Sequence, residues 1–140
     1  MDKDLQQLIA DLNVDLANEY AAAIQYTYNA SVVSGFERPA LKPFFEAEIT
    51  DELGHALYLA EKIKALGGTP TTKAAEVAQP TETTDLLQAA LQAETDTIKR
   101  YTKRKKQAEK LGLTELAIQL EDMIADETRH KEEIERLLNN

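Results

Sequence analysis

Apolar residues recur along this chain at steps of three and four, the spacing that lines one face of an α-helix. Glycine and proline divide the pattern into four stretches. The first reads Leu5, Ile9, Leu12, Leu16, Glu19, Ala23, Tyr26, Ala30, Val33, and predicts a helix over residues 3–34, stopped by Gly35. The second reads Phe45, Ile49, Glu52, Ala56, Leu59, Ile63, Leu66. Its helix is predicted from Pro39, a residue suited to a first turn, to Gly67-Gly68, with Pro43 as the alternative start. The third reads Leu87, Leu91, Glu94, Ile98, Tyr101, from Thr83 or Thr84, whose hydroxyl suits an N-cap, to Gly112. The fourth reads Leu116, Leu120, Met123, Glu127, His130, Ile134, Leu137, after Thr114 and almost to the end. Ala, Leu, Glu, Lys and Gln dominate, so the fold class is all-α.

The spacer GGTPTTKAAEVAQPTETT separates the second helix from the third. A helix of about 28 residues is about 42 Å long, and roughly fifteen extended residues at about 3.3 Å each span that distance. Two antiparallel hairpins joined by a crossover running the length of a four-helix bundle are therefore expected. An up-down-up-down bundle with a slack loop is the alternative. At 140 residues, one domain over residues 1–140 accounts for the chain.

Each inward stripe is apolar except for one glutamate near its middle. His55 and His130, the only histidines, follow Glu52 and Glu127 by one turn on the same face. Glu19 and Glu52 are 33 residues apart, as are Glu94 and Glu127, and a shift of 75 carries 19, 52 and 55 onto 94, 127 and 130. This is the signature of an internal duplication with an approximate two-fold axis. A carboxylate buried alone is costly, so it protonates, pairs or binds metal. No Lys or Arg falls on the inward stripes beside these acids. Four glutamates and two neutral imidazoles are matched in charge by two divalent cations, which points to a dinuclear metal site.

Glu52 and Glu127 are expected to bridge the two metals. Glu19 with His55, and Glu94 with His130, are expected to complete the two positions. Asp51 and Asp126 are placed to accept the second N–H of the histidine on the opposite hairpin. Taken singly, an inward Glu is a hydrated polar defect, a lone His a hydrogen-bonded core residue and each Asp an exposed helix residue; the match at six positions argues against that reading. Oxygen-rich ligation with one nitrogen per metal favours iron or manganese over zinc or copper, though zinc can bind competitively.

The net charge of −9 argues against nucleic-acid binding, which needs clustered cations. The exception is the run Lys99, Arg100, Lys103, Arg104, Lys105, Lys106, which reads as a solvated face at a helix C-terminal end, or else as a docking patch for an acidic partner. Cysteine is absent, which excludes disulfides and thiolate sites. MDKDLQQL lacks the features of a signal peptide, and no apolar stretch approaches the roughly 18 residues of a membrane span. A soluble, cytoplasmic protein with no membrane partner is expected.

With these residues in place, the chain resembles the bacterioferritin branch of the ferritin-like di-iron carboxylate superfamily over nearly its whole length. NEYAAAIQY (residues 18–26) is similar to the first-helix motif of that branch, N-E-x-x-A-x-x-Q-Y. The resemblance implies a ferritin-like bundle and a ferroxidase centre that oxidises Fe(II) with dioxygen or hydrogen peroxide. Two iron ions would be held by Glu19, Glu52, His55, Glu94, Glu127 and His130. It also places Tyr26 near the centre, in a redox or hydrogen-bonding role, against simple core packing.

Leu53 stands where bacterioferritins carry a haem-ligating methionine, so no haem is expected. Ten residues follow His130, too few for the fifth helix that helps to close a ferritin cage. A homodimer is expected instead, through the first two helices and the apolar Tyr28, Val32, Phe36, Leu41 and Phe44, with a larger homo-oligomer as the alternative. Rubrerythrins resemble the ligand pattern but add a glutamate where this chain has Thr97, and the DNA-protecting mini-ferritins use a different motif. The competing functions are a rubrerythrin-like peroxidase, a di-metal oxygenase or hydroxylase acting on an organic substrate, and a metal-free helical interaction module.

Overall fold

Asp2 opens the first helix: its carboxylate accepts the Asp4 amide at 2.9 Å and so satisfies a donor that has no partner within the helix. The computed structural model, which describes residues 2–139, has helices α1 (Lys3–Val32), α2 (Arg38–Ala65), α3 (Thr83–Lys110) and α4 (Thr114–Leu138). A single 3₁₀ turn, Gly35–Glu37, joins α1 to α2. Pro39 sits in the first turn of α2, and Pro43 lies inside that helix rather than starting it. Its missing N–H leaves only the Pro39 carbonyl without its helical donor. The N-cap residue of α3 is Glu82, with no side-chain cap, so the expected threonine cap is not formed.

Gly67 and Gly112 terminate α2 and α3 by the same device. Each adopts a left-handed φ, +99° and +72°, which lets the chain turn back on its own carbonyls. Gly68 then donates to Ile63 O at 2.9 Å, and Leu113 donates to Ala108 O at 2.9 Å. The second turn folds α4 back against α3, as α2 folds back against α1, and α1 lies against α3. This is the expected ferritin-like pair of hairpins.

The crossover is fastened along α1 rather than slack. Asn13 donates to Thr69 O at 3.0 Å and accepts Thr71 N–H at 2.8 Å. Ala75 N–H donates to Ala17 O at 3.0 Å. Farther along, Gln25 exchanges two hydrogen bonds with Ala78, and Tyr28 donates to Pro80 O at 2.6 Å. Residues 69–80 thus follow residues 13–28, about half of the 30-residue helix.

Two apolar clusters fill the bundle. Leu8, Leu12, Leu16, Leu59, Ile63, Leu116 and Leu120 occupy one end; Ala30, Val33, Leu41, Phe45, Leu86 and Ile134 occupy the other. The expected stripes are broadly right, but the buried face is wider than a single row of side chains. Leu8 is fully enclosed while Leu5 and Ile9 are half-buried, and Leu86 and Ala90 are buried beside Leu87. The expected dimer face needs correction: Leu41 belongs to the core, Tyr28 holds the crossover, and of the five only Phe36 is fully exposed. Nor are the inward stripes free of arginine. Arg104 is buried against Asp15, itself fully buried.

Candidate metal centre

Between the two apolar clusters, each helix turns a glutamate inward. Glu19 (α1), Glu52 (α2), Glu94 (α3) and Glu127 (α4) are each at most 2% exposed, and His55 and His130 close in from α2 and α4. Two groups of side chains have ligand atoms within 4.8 Å of one another: Glu19, Glu52, His55 and Glu127, and Glu48, Glu52, Glu94 and His130. Ligands on opposite sides of an ion with bonds of about 2.1 Å lie about 4.2 Å apart, so each group has the right size for one cation. Glu52 is common to both groups. Glu127 Oε1 lies 3.2 Å from His55 Nδ1 and 3.8 Å from His130 Nδ1, between the two imidazoles.

Each imidazole turns its other nitrogen outward, across to the opposite hairpin. His55 Nε2–H donates to Asp126 Oδ2 at 3.3 Å, and His130 Nε2–H donates to Asp51 Oδ2 at 3.2 Å. With a cation bound, these contacts would select the tautomer whose Nδ1 lone pair faces the centre. Tyr26 on α1 donates to Glu94 Oε1 on α3 at 2.7 Å, and Tyr101 on α3 donates to Glu19 Oε1 on α1. The tyrosines are themselves 75 residues apart, so they belong to the same repeat.

The donor set fits a metal on an observation independent of spacing. Among the described residues, nine buried side-chain polar atoms have no hydrogen-bond partner. Seven are Glu19 Oε2, Glu48 Oε2, Glu52 Oε1, His55 Nδ1, Glu94 Oε2, Glu127 Oε1 and His130 Nδ1. Buried polar atoms are otherwise almost always paired. Here the orphans are concentrated at one place, and they are the atoms that would bind a cation.

Without a cation the groups share protons. Burial, together with the neighbouring Glu127 carboxylate and its charge, holds the Glu94 carboxyl up at about 11. Burial and the charges of Glu19 and Glu127 likewise raise Glu52 well above the usual carboxylate range. Burial pushes Glu127 up too, but its close contacts with Glu94, His55 and Glu52 outweigh it and leave that group at about 2. For His55, burial favours the neutral ring, yet the Glu127 and Glu19 carboxylates raise it to about 11.

A family model for ferritin, described as a ferritin-like domain, matches residues 9–140. The chain belongs to the ferritin-like family. Its fold superposes with a TM-score of 0.98 on a ferritin-like diiron-carboxylate protein from Bacillus anthracis, at 60% identity over 99% of this chain and 100% of that one. A Desulfovibrio desulfuricans bacterioferritin with a diiron site is 26% identical, with a TM-score of 0.89 over 96% of this chain and 80% of that one. A Dps protein from Bacillus brevis, 19% identical with a TM-score of 0.93 over 99% of both chains, shares the fold. Among curated proteins no significant match is found.

Within this ferritin-like bundle the structure brings together all six side chains singled out from the sequence, with Asp51, Asp126 and Tyr26 in contact with them. Glu48 was missed. It lies one turn before Glu52 on the same face of α2, a signal that was available, but the 75-residue repeat puts apolar Met123 at the corresponding place. Tyr101 was read as an ordinary stripe residue, although the repeat already paired it with Tyr26. Among the described residues, no helix is long and apolar enough to cross a membrane.

Proposed function

We propose that this protein is a ferroxidase of the bacterioferritin type, which takes up two Fe(II) ions as substrate and oxidises them with dioxygen or hydrogen peroxide. The observation that carries the reading is the convergence of unpartnered, buried oxygen and nitrogen atoms from four helices on two adjoining positions. The 60%-identical relative described as a diiron-carboxylate protein supports iron as the metal. NEYAAAIQY and the 26%-identical bacterioferritin support the branch.

In this reading Glu19 and His55 hold one ion, Glu94 and His130 hold the other, and Glu52 and Glu127 lie between the two. Each Fe(II) yields one electron. The two together reduce hydrogen peroxide to two waters, or dioxygen to hydrogen peroxide, with uptake of two protons. Hard carboxylate oxygens favour the trivalent product over the divalent substrate, which drives the electron loss. Asp126 and Asp51 hold the imidazoles in the binding tautomer. Tyr26 and Tyr101 keep Glu94 and Glu19 turned inward and lie close enough to supply an electron. The apolar clusters on both sides exclude bulk water.

Leu53, half exposed on the outer face of α2, offers no sulfur to a haem. Together with the half-exposed Ile24 and Leu57 it gives α1 and α2 an apolar outer surface suited to a homodimer. Aerobic addition of Fe(II) to metal-free protein tests the proposal. Fast oxidation, about one oxidising equivalent per iron, is expected in the wild type and is lost in Glu94→Ala and in Glu127→Ala. Unchanged kinetics in both variants rejects it.

A further inference from the structure

The two halves of the centre are not equivalent, and Glu48 is the reason. Its side chain is 6% exposed, and its Oε2 has no hydrogen-bond partner. That oxygen lies 2.6 Å from His130 Nδ1, a close contact between two potential ligand atoms. Two potential ligand atoms this close both face one space, which a cation would occupy. On an octahedral ion with bonds of about 2.1 Å, neighbouring ligands are about 3 Å apart. The equivalent residue of the other half is Met123, also buried, whose thioether is a poor ligand for hard cations.

Burial sharpens the argument. An acid enclosed in a helical bundle needs a reason to be there, and Glu48 pairs with no lysine or arginine among the described residues. Its neighbours in space are Glu52, Glu94 and His130.

The geometry points to Glu48 as a seventh metal ligand that makes the two positions unequal, so that the position at His130 fills first and holds its cation more tightly. This rests on the dinuclear reading above. The position at His55 has one terminal glutamate, Glu19, whereas the position at His130 has two, Glu94 and Glu48, and ligand charge sets affinity for hard cations. With five glutamates around two divalent ions, one negative charge is left over, which further favours an ion that becomes trivalent.

Manganese(II) titration of the metal-free protein, with free Mn(II) followed by electron paramagnetic resonance, provides the test. Wild type is expected to bind two ions in resolved steps, the first at least about tenfold tighter than the second. Glu48→Gln keeps the shape and removes the charge, so its two steps should merge. Glu46→Gln, at an exposed residue on the same helix, should leave both steps as they are. A crystal of wild type carrying one equivalent gives an answer that no variant can confound. Anomalous scattering should place manganese beside His130 with a Glu48 oxygen at about 2.1 Å. Equal wild-type steps, a Glu48→Gln titration identical to wild type, or the first ion beside His55 overturns the inference and leaves the dinuclear reading standing. A wild type that binds no manganese and no iron overturns both.

Discussion

His55 on α2 donates its Nε2–H to Asp126 on α4 at 3.3 Å, so the hairpins are stitched together by a hydrogen bond that also orients an imidazole. His130 makes the mirrored contact with Asp51 at 3.2 Å. The aspartates stand on the rim, where Asp126 also pairs with Arg129, and the imidazoles point their other nitrogen into the centre. Replacing Asp126 with alanine should therefore spare the fold and weaken metal binding, by about 10- to 100-fold. Competition against a chromophoric chelator measures the loss. Wild-type affinity in Asp126→Ala would show that the contact orients nothing.

The metal-free protein should lose stability as pH rises above neutral. Glu94 keeps its proton in the fold up to about 11, whereas an unfolded glutamate loses it near 4.5. His55 likewise keeps its proton to about 11 against 6.5 when unfolded. Above pH 6.5 the native state therefore binds more protons than the unfolded chain, and each excess proton costs on the order of 1 kcal/mol per pH unit. Glu127 works the opposite way: its contribution is present above 4.5 and is lost as pH falls through about 2. Urea midpoints should fall from pH 6.5 to pH 9 without metal. Metal binding displaces the shared protons, so adding Mn(II) to weakly buffered protein should acidify it. A flat midpoint with no acidification would contradict this proton sharing.

Cations should stiffen the bundle. Saturation at about 100 times the dissociation constant contributes about 2.7 kcal/mol, which in a chain of this size raises Tm by roughly 10 °C. Glu52 belongs to both ligand groups. Glu52→Ala should thus abolish the rise with Mn(II), whereas alanine at exposed Glu61 should not. Differential scanning calorimetry with and without the ion distinguishes the two. An equal rise in both variants would place the effect elsewhere on the surface.

The helices and the centre were legible because both repeat. Apolar residues recur with the helical period, and the acids recur again after 75 residues, so each half checks the other. What lay outside the repeat was harder to see. Glu48 and Asp15 have no acidic counterpart in the other half, whose corresponding residues are Met123 and Ala90. Tyr28 reads as open surface because nothing local shows that Pro80, 52 residues away, accepts its hydroxyl. Capping also escaped, since Thr83 became the first residue of α3 rather than its cap. The run 99–106 misled for a different reason: six cations within eight residues look solvated, yet a helix sends them in different directions. Lys99, Lys103 and Lys106 do face out, while Arg104 turns in.

That inward arginine leads to a prediction of its own. Arg104 reaches Asp15 through Nε at 2.8 Å and through a second guanidinium nitrogen at 3.3 Å, and Arg100 Nε lies 3.4 Å from the same carboxylate. Asp15 is one turn from Glu19, so the pair supports the wall of the centre. Burial pushes Asp15 up to about 6 even against the two guanidinium charges, so desolvation outweighs their attraction. Removing one partner leaves a buried charge behind, which typically costs about 3–5 kcal/mol. Asp15→Ala should destabilise by that order, measured by urea denaturation at pH 7.5. Replacing both together, Asp15→Leu with Arg104→Met, should recover most of the loss, because two apolar side chains of similar bulk leave no charge unpaired. A double variant no more stable than Asp15→Ala would mean that the pair stabilises the bundle through its charges and not merely by satisfying them.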